Sequence, residues 1–293
     1  MELPNIAIVT DSASDVSKEC AEIDNIVIVP LYIHYNGQEF RDGIDIQSGR
    51  IYSMQKEKKA IFYSSSPSPK DFIDVYEKLL RTYDTIISIH ISSKLSAVIK
   101  SAKIAADLLK AEERIIIFDS CSGTMGTGFM AIAAARAVKK FFSVQQILNI
   151  LLFLKENMKL YGTIDTLRYL KRSGRVPAIA WLATSILRIK PLLSIKNGVV
   201  EMIGATITRW ASLSGITRRA IRHFRKERWV LAAVVHSLSV TEAKKVMKRL
   251  QMALNCVSTA IVDCTPVVGA HTGPGLIGII ITRLESQIVE LFI

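Results

Sequence analysis

Five short turns hold most of the side chains in this 293-residue sequence that could do chemistry. Four are rich in hydroxyls: Thr10-Asp11-Ser12-Ala13-Ser14, Ser64-Ser65-Ser66-Pro67, Ser92-Ser93-Lys94-Leu95-Ser96 and Asp119-Ser120-Cys121-Ser122-Gly123. The fifth, Gly269-Ala270-His271-Thr272-Gly273-Pro274-Gly275, adds an imidazole. Each of the four hydroxyl turns closes or follows an apolar run with strand character, and an α/β sheet binds ligands beyond the carboxyl ends of its strands. Hydroxyls and Gly-flanked amides gathered there make a cradle for a small anionic group. Taken singly, each hydroxyl turn reads as a helix N-cap, whereas five turns on one chain favour a shared polar site. For His271 the alternative is a turn histidine satisfying a buried carbonyl, and its glycine-rich setting favours an anion contact.

Several engines are absent. There is no G-x-x-x-x-G-K-[ST] for a triphosphate, and Gly123-Thr124-Met125-Gly126-Thr127-Gly128 lacks both the lysine and the dinucleotide spacing. G-x-S-x-G is missing, which removes the strand-to-helix serine hydrolase elbow. Ala13 stands where a D-x-D phosphotransferase needs its second acid. The histidines His34, His90, His223, His236 and His271 have no metal-ligand spacing. Cys20, Cys121, Cys256 and Cys264 form no C-x-x-C pair, so neither a zinc site nor a disulfide framework is expected. A Ser/His acyl hydrolase or transferase built across distant segments stays open, because a triad is recognised by geometry rather than by order.

The elements that must position these turns read as alternating strand and helix in the first half. Asn5 to Thr10, Ile86 to Ile91 and Ile115 to Phe118 are apolar strands, and a helix is expected to open at Asp15-Val16-Ser17 with Asp15 as cap. Ile26 to Tyr35 is a β-branched run broken by Pro30, and Asn36-Gly37 is a hairpin turn. Pro69 to Tyr83 and Ser96 to Lys110 read as helices, which implies a parallel sheet. Two helices parted near Ser143 precede a transition at about 155. Beyond it, Leu192 to Ile195, Asn197-Gly198 and Val199 to Ile203 form a hairpin signal. Helices Ser212 to Arg225 and Val240 to Leu254 then alternate with strands Trp229 to Val235, Ser258 to Val262 and Leu276 to Thr282. The expected class is α/β: an N-terminal domain, 1–155, with a mainly parallel sheet and the serine turns, and a C-terminal α+β domain, 156–293, with a mixed sheet that completes a pocket between or beneath them.

Composition bounds the rest. Apolar residues make up 49% and charged residues 22%, and the mean hydropathy is +0.29, which fits a globular chain with an unusually apolar interior or a lipophilic pocket. No uncharged apolar stretch reaches the ~20 residues of a membrane-spanning helix, and the longest candidate, 176–187, is short. The amino terminus shows no basic leader, so a cytoplasmic location is expected. The net charge of +12 concentrates in Arg218, Arg219, Arg222, Arg225, Lys226 and Arg228, then in Lys244, Lys245, Lys248 and Arg249. Such a cluster is either a solvated helix face or a site for an anionic surface, membrane before nucleic acid. No recognition motif accompanies it, so no nucleic-acid partner is expected.

The chain resembles the DegV family, also described as FakB fatty-acid-binding proteins. The matching segments are Val9-Thr10-Asp11-Ser12-Ala13-Ser14-Asp15, Pro30-Leu31, Asp42-Gly43, Ser64-Ser65-Ser66-Pro67, Ile91-Ser92-Ser93-Lys94-Leu95-Ser96, Asp119-Ser120 with Met125-Gly126-Thr127-Gly128, Leu167 to Arg175, Ile189-Lys190-Pro191 and Gly269 to Gly275. They run in family order over nearly the whole chain. The resemblance implies two domains enclosing one long-chain fatty acid, with the acyl tail in an apolar tunnel and the carboxylate held by Ser64, Ser96 and His271. Ser65, Thr10, Ser93, Thr272 and Arg175 complete the candidate ligand-binding set, with the Thr10 turn expected to support more than to touch. It also implies a separate ATP-dependent fatty acid kinase subunit that makes an acyl phosphate for phospholipid synthesis, so the chain is expected to be no enzyme itself and to carry no cofactor. The family pattern is broken at Ala97-Val98, where Gly-Thr is usual and a Cβ is added beside the expected head group. It is broken again at Ile207, which stands in place of an arginine in a region linked to kinase docking.

Overall fold

The computed structural model describes residues 5–173 and 189–293 of the chain. Its first half runs β1 (Ile6–Asp11), α1 (Lys18–Asp24), β2 (Ile26–Val29), β3 (Tyr32–Tyr35), β4 (Gln38–Arg41), α2 (Ser48–Lys58), β5 (Tyr63–Ser65), α3 (Pro69–Leu80), β6 (Thr85–His90), α4 (Val98–Leu108), β7 (Ile115–Asp119), α5 (Met125–Lys139) and α6 (Val144–Asn157). The second runs β8 (Lys159–Thr163), α7 (Arg168–Ser173), β9 (Lys190–Lys196), β10 (Val199–Thr206), α8 (Arg209–Phe224), β11 (Val230–His236), α9 (Val240–Ala253), β12 (Cys256–Asp263), α10 (Pro266–Thr272), β13 (Ile277–Arg283) and α11 (Ser286–Val289).

The protein is α/β, with an N-terminal parallel sheet and a C-terminal mixed sheet. Strands β2-β1-β6-β7 pair in parallel. Every residue of β1 is buried, as a sheet covered on both faces requires. α3 packs on α4, and α1 on α5. The strand order turns back between β1 and β6, so a crevice opens beyond their carboxyl ends, at Ser12 to Ser14 and Ile91 to Ser96. A small antiparallel sheet, β4-β3-β5, stands beside it and carries Ser64 and Ser65 on β5.

The second sheet has the order β10-β9-β8-β13-β11-β12, antiparallel except for β11 with β12. Alternation along β11 divides its side chains between two cores. Leu231, Ala233 and Val235 join the main core shared with the first half, whereas Val230, Ala232 and Val234 face Ile216, Val246 and Leu250 beneath α8 and α9. Among the described residues no helix is long and apolar enough to cross a membrane.

Local expectations fail in two places. Ser17, rather than Asp15, caps the first helix by accepting from the Cys20 amide, and Asp15 adopts a left-handed conformation two residues earlier. The glycine-rich segment carrying His271 is not a turn for most of its length: Pro266–Thr272 is helical, with Pro266 at a helix start that tolerates its missing N–H. The expected apolar segment 176–187 lies outside the described residues.

Candidate functional site

The crevice at the switch point contains an apolar pocket of about 140 Å³. Leu31, Ile91, Leu170, Ile195, Val200 and Val268 supply apolar walls, and Ser64, Ser96, Thr124, His271 and Thr272 are the polar residues lining it. Ser64 Oγ lies 2.7 Å from His271 Nε2, joining β5 to the last turn of α10. Ser96 also lines the pocket, and its hydroxyl lies 2.9 Å from that of Ser66. Ser66 accepts from the Ala97 amide at 3.1 Å, which ties the two serine turns together.

His271 is delivered by an unusually dense set of anchors from the first half of the chain. At the amino end of α10, Asp15 Oδ1 accepts from the Thr265 amide and hydroxyl, each at 2.8 Å, and Asp42 Oδ1 accepts from the Val267 amide at 2.9 Å. These carboxyls sit where the exposed helix donors favour negative charge. Burial nevertheless pushes both well above the carboxylate range, to about 7, with the hydrogen bonds pulling the other way. Along the helix, Gln55 donates to the Gly269 carbonyl at 3.1 Å, and the fully buried Tyr52 donates to the Cys264 carbonyl at 2.9 Å. The Tyr52 ring packs so closely on Gly269 that a Cβ there would stand 2.3 Å from it.

The remaining expected residues separate by where their oxygens go. Thr272 lines the pocket, and its hydroxyl donates to the Val268 carbonyl at 2.9 Å within α10. Ser65 lies off the pocket, 2.8 Å from His34 Nε2. Ser93 donates to Asp119 at 2.6 Å, and Ser92 to the carbonyl of Gly198 at 2.8 Å, docking the β9–β10 hairpin onto the serine turn. Thr10 is fully buried and donates to the Ile89 carbonyl at 2.8 Å across the β1–β6 pair, so it supports the sheet instead of facing the pocket. Arg175 lies outside the described residues.

Helix capping does not account for the turn serines. α4 begins behind Ala97 and α5 behind Thr124, neither with a side-chain cap. Ala97-Val98 also leaves the pocket clear: Val98 is fully buried in the core, and Ala97 faces an open groove.

Thr124 is the residue that sequence reasoning passed over. It lines the pocket with φ of 51°, a conformation costly for a β-branched side chain, and its buried Oγ1 has no hydrogen-bond partner. Its position in Gly123-Thr124-Met125 directly after a hydroxyl turn was the available signal. Among the described residues no cluster of His, Cys, Asp or Glu could hold a metal ion.

None of the cationic side chains of α8 and α9 lines this pocket. Arg218, Arg222 and Arg225 are exposed, as are Lys244, Lys245, Lys248 and Arg249, over the outer face of the second sheet.

The chain matches known proteins along nearly its whole length. A family model described as "Uncharacterised protein, DegV family" covers residues 5–284. Protein DegV of Bacillus subtilis is 30% identical over 276 residues, spanning 94% of this chain and 98% of the relative. A Thermus thermophilus structure described as "Fatty Acid Binding of a DegV family Protein" superposes with a TM-score of 0.90 at 27% identity, covering 96% of this chain and 100% of that one. A protein from Eubacterium ventriosum described as fat acid (stearic acid)-binding superposes with a TM-score of 0.85 at 26% identity, covering 95% and 98%.

Proposed function

The chain belongs to the DegV family, and on that premise we propose that it is a carrier for one long-chain fatty acid with no catalytic chemistry of its own. The acyl tail enters the apolar pocket, and the carboxylate lies against Ser64, Ser96 and His271. The observation that carries this reading is the 2.7 Å contact of Ser64 Oγ with His271 Nε2 in a pocket walled mostly by aliphatic side chains. A carboxylate withdrawn from water needs such partners to offset several kcal/mol of desolvation. Each buried methylene adds about 0.8 kcal/mol, so the tail supplies most of the affinity and the head the orientation. The fatty-acid binding described for the Thermus and Eubacterium structures supports the same ligand class.

In this reading the two sheet systems are two domains, meeting near residue 155 and closing over the ligand. The carrier works in the cytoplasm and presents the carboxylate to a separate ATP-dependent kinase subunit, which makes an acyl phosphate for phospholipid synthesis. The exposed cations of α8 and α9 suit transient contact with an anionic membrane surface during loading. Native mass spectrometry of freshly purified protein tests the ligand: one C14 to C18 acid per chain is expected, and a clean apo mass with no uptake of added acid would refute the reading.

The Ser64–His271 distance also suits a nucleophile and its base, which makes an acyl hydrolase the second reading. Turnover of a nitrophenyl ester that disappears in His271→Ala would select it over the carrier.

A further inference from the structure

Thr265 and Pro266, at the start of α10, line a second cavity of about 740 Å³ that shares no residue with the apolar pocket. It opens among α1, β2, the loop between β4 and α2, and the end of β12. Ile26, Ile28, Pro30 and Ile44 give it apolar walls, and three acids, Glu22, Asp42 and Asp263, line it against one base, Lys18. Lys18 lies 3.9 Å from Glu22, so these two offset each other. Asp42 and Asp263 have no such neighbour: among the described residues neither forms an ion pair with a lysine or arginine. The His236 imidazole, 3.5 Å from Asp263, is pushed down by burial and brings no charge at neutral pH.

Asp42 is the group that points to a ligand. It is 2% exposed and lines the cavity; its Oδ1 accepts from the Val267 amide, and its Oδ2 has no hydrogen-bond partner. The Ser12 hydroxyl eases this acid only in part, since the same oxygen accepts from the Leu31 amide at 3.0 Å. Asp15, close enough to feel the charges of Asp42 and Asp263, has an unpartnered Oδ2 as well. Burial pushes Asp42 up to about 7 and Asp263 up to about 6. Acids kept out of water without a counter-charge cost stability, and a cation from solution would relieve that cost.

The acids are spread too widely for a metal ion. Among the described residues no three His, Cys, Asp or Glu side chains come close enough to hold one, whereas hard cations gather roughly six or more oxygens. Two carboxyls at separate points of an apolar-walled cavity instead match two ammonium groups joined by methylenes.

We propose that this cavity is a second binding site, for an aliphatic diamine, with one ammonium group at Asp42, the other at Asp263 and the methylenes along the isoleucine walls. The site is independent of the fatty-acid reading and concerns binding alone.

Calorimetric titration of the full chain at pH 8 with 1,3-diaminopropane, putrescine, cadaverine and butylamine tests it. One diamine is expected to bind at one site per chain, about tenfold more tightly than butylamine, since it makes two charge-assisted contacts where butylamine makes one. Asp42→Asn and Asp263→Asn should each remove that preference. Asp263→Glu, at an exposed strand end where folding is not at stake, should keep it and move the optimum to a shorter diamine, because the carboxyl reaches one methylene further. No binding of any diamine, equal binding of butylamine, or a preference that survives Asp263→Asn overturns the proposal. Magnesium chloride is the remaining arm: failure to displace the diamine at equal concentration supports the organic ligand, and displacement would make the acids a metal site and overturn it.

Discussion

Thr10 and Ser64 present the same functional group near the ends of strands, and the fold treats them in opposite ways. Thr10 is buried in the parallel sheet and spends its hydroxyl on a carbonyl of the neighbouring strand. Ser64 stands on a pocket wall and meets an imidazole 207 residues further along the chain. A hydroxyl whose partner is backbone stabilises the fold and is invisible to a ligand, whereas one at a pocket wall costs little to remove and matters when the pocket is filled. The difference lies in the second partner: α10 had to be carried across to β5, and Asp15, Asp42, Tyr52 and Gln55 do the carrying.

The two buried carboxyl anchors make stability depend on pH, with the largest effect expected. Asp15 and Asp42 are pushed up to about 7 in the folded protein, mainly by burial, from an ordinary carboxyl value near 4. Between those values the folded chain keeps protons that the unfolded chain has released, so unfolding releases protons. The stabilisation from these groups is therefore complete below about pH 4 and is lost as pH rises through about 7. Urea midpoints measured from pH 4 to pH 8 should fall by an amount worth several kcal/mol, and Asp42→Asn should make that slope shallower. A midpoint that rises across the same window in both proteins would contradict this account of the anchors.

Gly269→Ala should cost about 3 kcal/mol, because a Cβ would stand 2.3 Å from the fully buried Tyr52 ring and must displace it. Fatty-acid affinity should fall with it, since the shifted helix bears His271. His271→Ala, by contrast, is expected to lower affinity by about 2 kcal/mol, the worth of a hydrogen bond to a charged group. Thr10→Val sharpens the comparison from the other side. Leaving the Ile89 carbonyl short of its donor should cost about 1 kcal/mol of stability, while affinity stays within a factor of about two. A Thr10→Val protein of normal stability that binds weakly would reverse the assignment of the two hydroxyls.

Much of the scaffold was legible from pattern alone. Continuous apolar runs marked β1, β6 and β7, Asn36-Gly37 and Asn197-Gly198 marked both hairpins, and Ser143 marked the break between α5 and α6. The helix under His271 was not legible, because Gly269, Gly273 and Gly275 outweigh the start signal of Pro266. What makes that segment helical is tertiary: Tyr52 occupies the space above Gly269, and two carboxyls hold its first amides. Ser64, Ser96 and His271 were singled out by family resemblance, since no spacing rule links residues so far apart. The positive φ of Thr124 had no readable cause in composition.

The central claim is that a fatty-acid carboxylate lies against Ser64, Ser96 and His271. Carbon-13 NMR of palmitate labelled at the carboxyl carbon, bound to the wild type and to Ser64→Ala, Ser96→Ala, His271→Ala and Thr10→Val, tests it most directly. The account predicts one bound carboxyl resonance that moves in the first three variants and stays in place in Thr10→Val. A resonance unchanged by all three, or displaced only by Thr10→Val, would contradict it.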